Sequence, residues 1–423
     1  MKPILLALLV AAALLAAPRT TAEPQWYKGA THVHSLWSDG DAAPEFIADW
    51  YKTRGWDFVC FSEHNILMEG EKLVPVAPDA KLTADRLLAI QQRFGTDWPE
   101  VRESGAGRQM RLKTLAELSA YFNAPGEFLL IPAEEMTTAG GNPHMNAINI
   151  RELVPGAPEA GDPAPKMQGY LDAIAGQQAK HGAPMLVHLN HPNWRNALSS
   201  EVILAVPDLR FFEVYNGAGP TDRGDAERGV PTTERHWDVV LSMQLRRNPD
   251  YILYGVATDD SHNYHAIDRG LANPGRGWVM VQAERLEAGA LVEAMQRGDF
   301  YGTSGVVLSA IDRGDSHLGV HIAAQTGVTY TTRYIGTRKN VDTATRPFTD
   351  AAGHPVPGSS LIYSEAIGTV LYETNQVQSS YEFKGDELYV RATVTSDRVM
   401  ENPPVAGDVE MAWVQPVLVR RAR

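Results

Sequence analysis

The sequence predicts an α/β fold: a barrel of parallel strands covered by helices, followed by a smaller antiparallel β-sheet or sandwich. Three observations carry this. Up to residue 303, short apolar runs alternate with amphipathic helical stretches, the pattern of a parallel sheet with helices packed on it. Seven or eight such units favour closure into a barrel over an open sheet. From Ser304 onward the helical pattern gives way to period-two alternation and turn residues.

Taken in order, the chain opens with Lys2 and an apolar run from Ile4 to Ala17. Thr20 and Ala22 then supply small residues at the −3 and −1 positions of a cleavage site, so residues 1–22 read as a secretory signal. The run falls short of the roughly 20 apolar residues that a membrane span needs, and no later segment is longer. The mature protein is expected to be exported, periplasmic or secreted, with no membrane attachment. Strands are expected at 27–34, 58–63, 128–133, 145–150, 185–189, 211–215, 252–257 and 277–281. A helix is expected near Pro44, where Phe46, Ile47, Trp50 and Tyr51 make one stripe before Gly55; others are expected at 113–123, 168–180, 233–245 and 287–297. Residues 69–111, rich in Gly, Pro and charge, read as an insertion near the site, either a substrate-gating cap or a surface loop. Beyond Ser304, residues 387–395 alternate strictly, with Leu388, Val390, Ala392 and Val394 on one face, and 411–418 is a second strand. The expected divisions are therefore a signal at 1–22, a barrel at 23–303 and a β-rich region at 304–423.

Composition excludes several partners. The net charge is −13, and the leader carries Lys2 and Arg19 but no acid, so its removal leaves the chain more acidic still. Such a surface repels nucleic acid, and Arg420, Arg421 and Arg423 are too short a tail to offset it. A small-molecule substrate is expected instead. The one cysteine, Cys60, forbids an intrachain disulfide and lies inside an apolar run, where it reads as a small buried hydrophobe.

The polar residues then fall into place on this map. His32 and His34 stand at i, i+2, so both rings leave the same face of a strand. Asp39, His64, Glu135, His144, His191, Asp260 and His262 follow, nearly all at the ends of apolar runs. In a parallel barrel those carboxyl ends form one rim, where active sites are built. Imidazole and carboxylate donors suit zinc, manganese or iron.

His32-x-His34-x-x-x-Ser38-Asp39-Gly40, Phe61-Ser62-Glu63-His64-Asn65 and Ile131-Pro132-Ala133-Glu134-Glu135-Met136-Thr137 resemble the first three motifs of the PHP (polymerase and histidinol phosphatase) superfamily. Asn190-His191-Pro192 and Asp260-Ser261-His262 resemble its last two. The C-terminal stretch around Ala412-Trp413-Val414-Gln415-Pro416 is similar, more weakly, to the appendage of secreted members related to carbaryl hydrolase. The resemblance implies a distorted (β/α)7 TIM-like barrel holding two or three divalent metal ions. It implies one ion on His32, His34, Glu135 and Asp260, a second on Glu135, His144 and His191, and a third on Asp39, His64 and His262. Glu135 is preferred to Glu134 by its offset from Ile131-Pro132, and His144 is the loosest fit. Glu135, Asp260 and His262 are the expected catalytic residues.

Clustered cations lower the pKa of a water between them and take up charge on the substrate, which points to an exported hydrolase, foremost a phosphoesterase. A carbamate, amide or carboxylic ester hydrolase on the same cluster is the alternative, and a non-catalytic metal- or ligand-binding protein the rival outside enzymes. Arg195, His265 and Arg269 are candidate substrate contacts, with Arg276, Asn216 and Asn263 behind them. Glu213 and His188 are expected behind the ligands, Glu213 orienting a ligand histidine. Gly302-Thr303-Ser304-Gly305 lacks the frame of a serine nucleophile and reads as the turn closing the barrel. No P-loop or dinucleotide fingerprint is present.

Overall fold

The computed structural model describes residues 23–420 apart from Ala106 and Asn196; the expected signal at 1–22, with Arg421 and Arg423, lies outside the described residues. The fold is mixed α/β, organised on one sheet of 13 strands. From one edge its order is Tyr254–Thr258, Phe211–Asn216, Leu186–Leu189, His144–Ile148, Leu129–Thr137, Phe58–His64 and Gln25–Val33. It continues through Trp278–Ala283, Phe300–Thr303, Val409–Leu418, Glu387–Val399, Tyr330–Arg338 and Thr369–Thr374.

Strand direction departs from an all-parallel expectation. Gln25–Val33, Phe58–His64 and Leu129–Thr137 are parallel neighbours, as are Leu186–Leu189, Phe211–Asn216 and Tyr254–Thr258. Between the two sets, His144–Ile148 runs antiparallel to both of its neighbours. The cause is local: only residues 138–143 separate it from Leu129–Thr137, enough for a hairpin but too few for a helical crossover. Trp278–Ala283 is likewise antiparallel to Gln25–Val33. Just past Tyr254–Thr258, Ser261 forms a parallel bridge with Val33, and His34 N donates to Ser261 O (3.0 Å). The segment following Tyr254–Thr258 thus lies beside the end of Gln25–Val33.

The helices cover this sheet for legible reasons. Pro44–Thr53 has Pro at its first position, Glu45 in its first turn, and Ile47, Ala48 and Tyr51 on its buried face. In Leu115–Phe122 a Thr114/Glu117 capping box satisfies the first turn, worth about 1 kcal/mol. The Thr232 side chain caps Thr233–Leu245, which is buried on most sides. Its Trp237 packs into a core with Phe212, Val214, Leu253, Tyr389 and Trp413, each such side chain contributing about 1.5–3 kcal/mol. A second core joins Trp37, Ile47, Tyr51, Val59, Phe61 and Phe128 beneath the first helix.

Strands beyond residue 304 continue the same sheet through Phe300–Thr303, which pairs with Val409–Leu418. Gln415 seals the junction, accepting from Gly255 N (2.9 Å) and donating to Gly255 O (2.7 Å). Leu308–Arg313, His317–Ile322 and Gln378–Glu382 form a separate three-stranded antiparallel sheet. Within the insertion, Leu73–Pro75, Gly107–Arg111 and Glu100–Ser104 make a small sheet, with the helix Ala84–Phe94 beside it. Among the described residues no helix is long and apolar enough to cross a membrane.

Candidate metal centre

Seven strand ends and loops deliver the nine candidate ligands to one rim. His32 and His34 leave the end of Gln25–Val33, where a register shift between Ala30 and Val33 re-aims the chain. His64 and Glu135 leave the ends of the parallel neighbours Phe58–His64 and Leu129–Thr137, opposite one another in register. The antiparallel direction of His144–Ile148 explains His144. Its first residue pairs with Thr137, so a strand start lies beside its neighbour's strand end. His191 and Asp260 follow Leu186–Leu189 and Tyr254–Thr258 with left-handed φ values of 21° and 46°. Positive φ in a residue other than glycine costs of order 1–3 kcal/mol and clusters at functional sites.

Glu135 occupies the centre. Its Oε1 lies 3.0 Å from His144 Nδ1 and 3.4 Å from His191 Nε2. Its Oε2 lies 3.5 Å from His32 Nε2, 3.4 Å from His34 Nε2 and 2.8 Å from His64 Nδ1. Asp260 Oδ1 faces the same two rings, at 3.1 Å from His32 Nε2 and 3.3 Å from His34 Nε2. Toward the mouth, Asp39 Oδ1 lies 3.2 Å from His262 Nε2 and 3.5 Å from His64 Nε2. Among the described residues, four overlapping groups have donor atoms within 4.8 Å of one another: His34, Asp39, His64 and His262; His32, His34 and Glu135; His32, His191 and Asp260; His64, Glu135 and His144.

The residues fit divalent ions. His32 Nε2, His34 Nε2 and Glu135 Oε2 are buried and make no hydrogen bond. A buried imidazole nitrogen pressed against a carboxylate needs a proton or a cation between them. Two donors about 2.1 Å from a tetrahedral ion lie about 3.4 Å from each other, close to the spacings around Glu135 and Asp260. Without a cation, protons do this work. Burial alone would lower His32, but Asp260, Glu213 and Glu135 outweigh it and hold its pKa well above the usual value. Burial is likewise outweighed at His64, where Glu135 and Asp39 raise the pKa to about 11. His34 goes the other way, pushed down to about 3 by burial and by repulsion from His262 and His64. Burial favours a protonated Glu135, yet His64, His32 and His144 pull it well below the carboxylate range.

Glu213 stands behind the ligands. Its Oε1 lies 2.7 Å from His32 Nδ1 and accepts from Thr258 Oγ1 (2.8 Å). Its Oε2 accepts from His191 N (2.7 Å) and Asn216 Nδ2 (2.8 Å). Donation by His32 Nδ1 leaves Nε2 as the atom offered to the centre. His188 is fully buried, its ring 6.4 Å from that of His32, and burial lowers its pKa to about 4. Glu134 faces away, accepting from Val154 N (2.9 Å), and burial raises its pKa to about 7.

The expected substrate contacts differ in their surroundings. Arg276 spends its guanidinium on the carbonyls of Asn402, Gly217, Leu271 and Asp268, so it is a structural tie rather than a phosphate clamp. Asn216 bonds Glu213 and Asp260 (3.2 Å), and Asn263 braces its own loop through Ala272 and Asn273. The His265 ring packs on Phe46 at 4.9 Å. Arg269 is exposed on the loop after the last motif. Arg195 is exposed over the Trp194 ring at 4.5 Å, and Trp194 in turn flanks His144 and His191 at 5.2 and 5.1 Å. Cys60 is fully buried, its thiol pushed above its usual pKa. Ser304 N donates to Met411 O and Ser304 Oγ accepts from Met411 N, each at 3.0 Å, within the strand junction.

Spacing alone did not single out three polar braces. Asn190 donates to Glu135 Oε1 and to Asn146 Oδ1, each at 2.8 Å. Thr137 Oγ1 lies 2.7 Å from His64 Nδ1. Asp259, beside Asp260, accepts from Tyr51 Oη (2.8 Å) and Gly275 N (2.7 Å), and burial raises its pKa to about 7. Their signal was adjacency to a ligand within a motif.

No family model matches the chain. No curated protein matches it either. Among solved structures, it is similar to a two-domain protein containing a predicted PHP-like metal-dependent phosphoesterase from Bacteroides vulgatus ATCC 8482. The similarity covers 95% of this chain and 100% of that one, at 16% identity and a TM-score of 0.38. The chemistry of the site is accordingly read from its own geometry.

Proposed function

We propose that this chain is an exported metal-dependent hydrolase of the PHP type, foremost a phosphoesterase. The observation that carries this reading is the convergence of His32, His34, Glu135 and Asp260, whose buried donor atoms face one another without hydrogen bonds at His32 Nε2, His34 Nε2 and Glu135 Oε2. A distorted (β/α)7 barrel over 23–303 with a β-rich region over 304–423 belongs to the same proposal. The Val33–Ser261 bridge supports the barrel.

Divalent ions here would supply a water acidic enough to act near neutral pH, and positive charge for the oxygens of an anionic ester. Three such ions would outweigh Asp39, Glu135 and Asp260, and Glu213 as well, so the loaded pocket is cationic inside an acidic protein. That favours a phosphoester over a neutral substrate. Glu135, at the centre, would hold ions on both of its sides, and Asp260 would hold one on the inner side. Asp39, His64 and His262, with side chains 52%, 25% and 22% exposed, form the open side through which substrate enters.

Metal-free protein reloaded with Zn2+, Mn2+ or Fe2+ and assayed on nitrophenyl phosphate, bis-nitrophenyl phosphate and nitrophenyl acetate tests the reading. Turnover of a phosphoester that disappears on chelation is the expected result. Turnover of the carboxylic ester alone would move the assignment to ester or carbamate hydrolysis. No turnover by loaded protein across the panel would remove the enzyme assignment.

A further inference from the structure

Asp39 differs from the other candidate ligands. It sits on the loop 35–41 rather than on a strand end, and its side chain is half exposed. A carboxylate so placed can bind an ion tightly only if its loop is held still beforehand. The structure shows what holds it. Glu63, fully buried at the end of Phe58–His64, points to the opposite side of its strand from His64. Both of its oxygens accept from Ser35 N, at 3.1 Å each; Ser35 Oγ donates to Oε1 and Ser38 Oγ donates to Oε2.

Those bonds organise the whole loop. Ser35 O accepts from Ser38 N (3.1 Å) and Gly40 N (2.9 Å), while Ser35 Oγ also accepts from Trp37 N (3.1 Å). Ser38 Oγ lies 3.4 Å from His34 Nδ1 as well. From the outer side the insertion adds three cations: Lys72 donates to Trp37 O, Lys81 to Asp39 O, and Arg86 to Asp41 O (3.1 Å). The insertion thus grips the loop rather than hanging free over the mouth.

We propose that Glu63 is a positioning residue that sets the affinity of the Asp39, His64 and His262 group for its divalent ion, by clamping Ser35 and Ser38, with the cations of the insertion holding the loop from outside. This rests on the metal-centre reading above. The clamp favours a carboxylate, because Ser35 N donates to both oxygens of Glu63 and only a carboxylate can accept at both while also taking the two serine hydroxyls. An amide in its place would set its NH2 against Ser35 N or turn a serine hydroxyl round.

The test is Zn2+ content after equilibration at graded free Zn2+, for wild type, Glu63→Gln and the double variant Ser35→Ala/Ser38→Ala, with thermal midpoints of the metal-free proteins alongside. Co2+ substitution reports the same sites by absorption. Glu63→Gln is expected to hold one ion fewer at limiting Zn2+, that site weakening about 10–100-fold while the inner ions keep their affinity. The serine double variant shifts the same ion, and adding it to Glu63→Gln changes little more; it also carries the test if Glu63→Gln does not fold. Unchanged affinity for every ion in both variants would overturn the proposal while leaving the metal centre intact. Equal loss of all ions together with a fallen midpoint would overturn it too, since Glu63 would then support the fold at large. Wild type that takes up no Zn2+ would remove the metal centre, and this proposal with it.

Discussion

At the scale of single residues, Glu135 and Glu213 divide the work of the centre. Glu135 turns one oxygen to His144 and His191 and the other to His32, His34 and His64, so it touches both sides of the cluster. Glu213 touches none of the open donor atoms and instead fixes His32 and the backbone of His191. Glu213→Gln is therefore expected to weaken metal affinity about 10–100-fold, read by chelator competition, with the fold retained; an unchanged affinity would refute its orienting role. Protonation of these side chains in metal-free protein makes a second expectation. His64, raised to about 11, carries a proton near neutral pH, and the neighbouring carboxylates shift His32, His191 and His262 in the same direction, whereas His34, at about 3, is unprotonated. Metal must displace those protons, so loading acidifies a weakly buffered solution and apparent affinity falls as pH is lowered. A pH-stat titration that registers no release would contradict this. The residue types were legible in the sequence because histidines and carboxylates end apolar runs. The braces Glu63, Asn190 and Asp259 were not, because a buried polar side chain beside a ligand shows its purpose only once its partners are placed.

Among the elements, direction decides the site as much as position does. His144 belongs to a strand that begins where its neighbours end, an arrangement made by a hairpin of six residues. Apolar runs mark the strand itself, but period-two and apolar patterns carry no sign of direction, which lies instead in the short turn around Gly140 and Gly141. The helix Ala84–Phe94 within the insertion is masked for another reason: its stripe of Leu87, Ile90 and Phe94 lies in a stretch whose Gly, Pro and charge read as a loop. In the Asp39 loop, a Cβ on Gly40 would lie 2.4 Å from His34 O and 2.7 Å from the Ser35 Cα. Backbone cannot yield there, so Gly40→Ala is expected to lower Zn2+ content of folded protein; normal content would show that the loop adapts. Farther away, Arg391 on Glu387–Val399 is buried against Asp238 (2.7 Å) and Glu234 (2.8 Å) of the helix Thr233–Leu245. Arg391→Met strands Asp238 and is expected to cost about 3–5 kcal/mol in chemical denaturation, with Asp238→Asn recovering part of the loss. A cost below about 1 kcal/mol would mean water reaches the pair.

For the whole molecule, the sheet is continuous from the metal rim to the C-terminal strands, and the buried Arg391 and Gln415 contacts tie those strands to the helix and strand behind the site. The change of pattern at Ser304 was legible, since alternation replaced helical periodicity. That the later strands would extend the same sheet was not, because pairing between distant segments leaves no local trace. Ions shared among so many strand ends would bind the folded chain alone, so saturating metal is expected to raise stability by about 4 kcal/mol at a thousandfold excess over Kd. The central claim is that these converging side chains hold divalent ions. It is tested most directly by the zinc, manganese and iron content per chain of gently purified protein, beside a His32→Ala/His34→Ala variant. Two or three ions in the wild type, falling in the variant, is the result the account requires; one ion or none, unchanged by the substitutions, would contradict it.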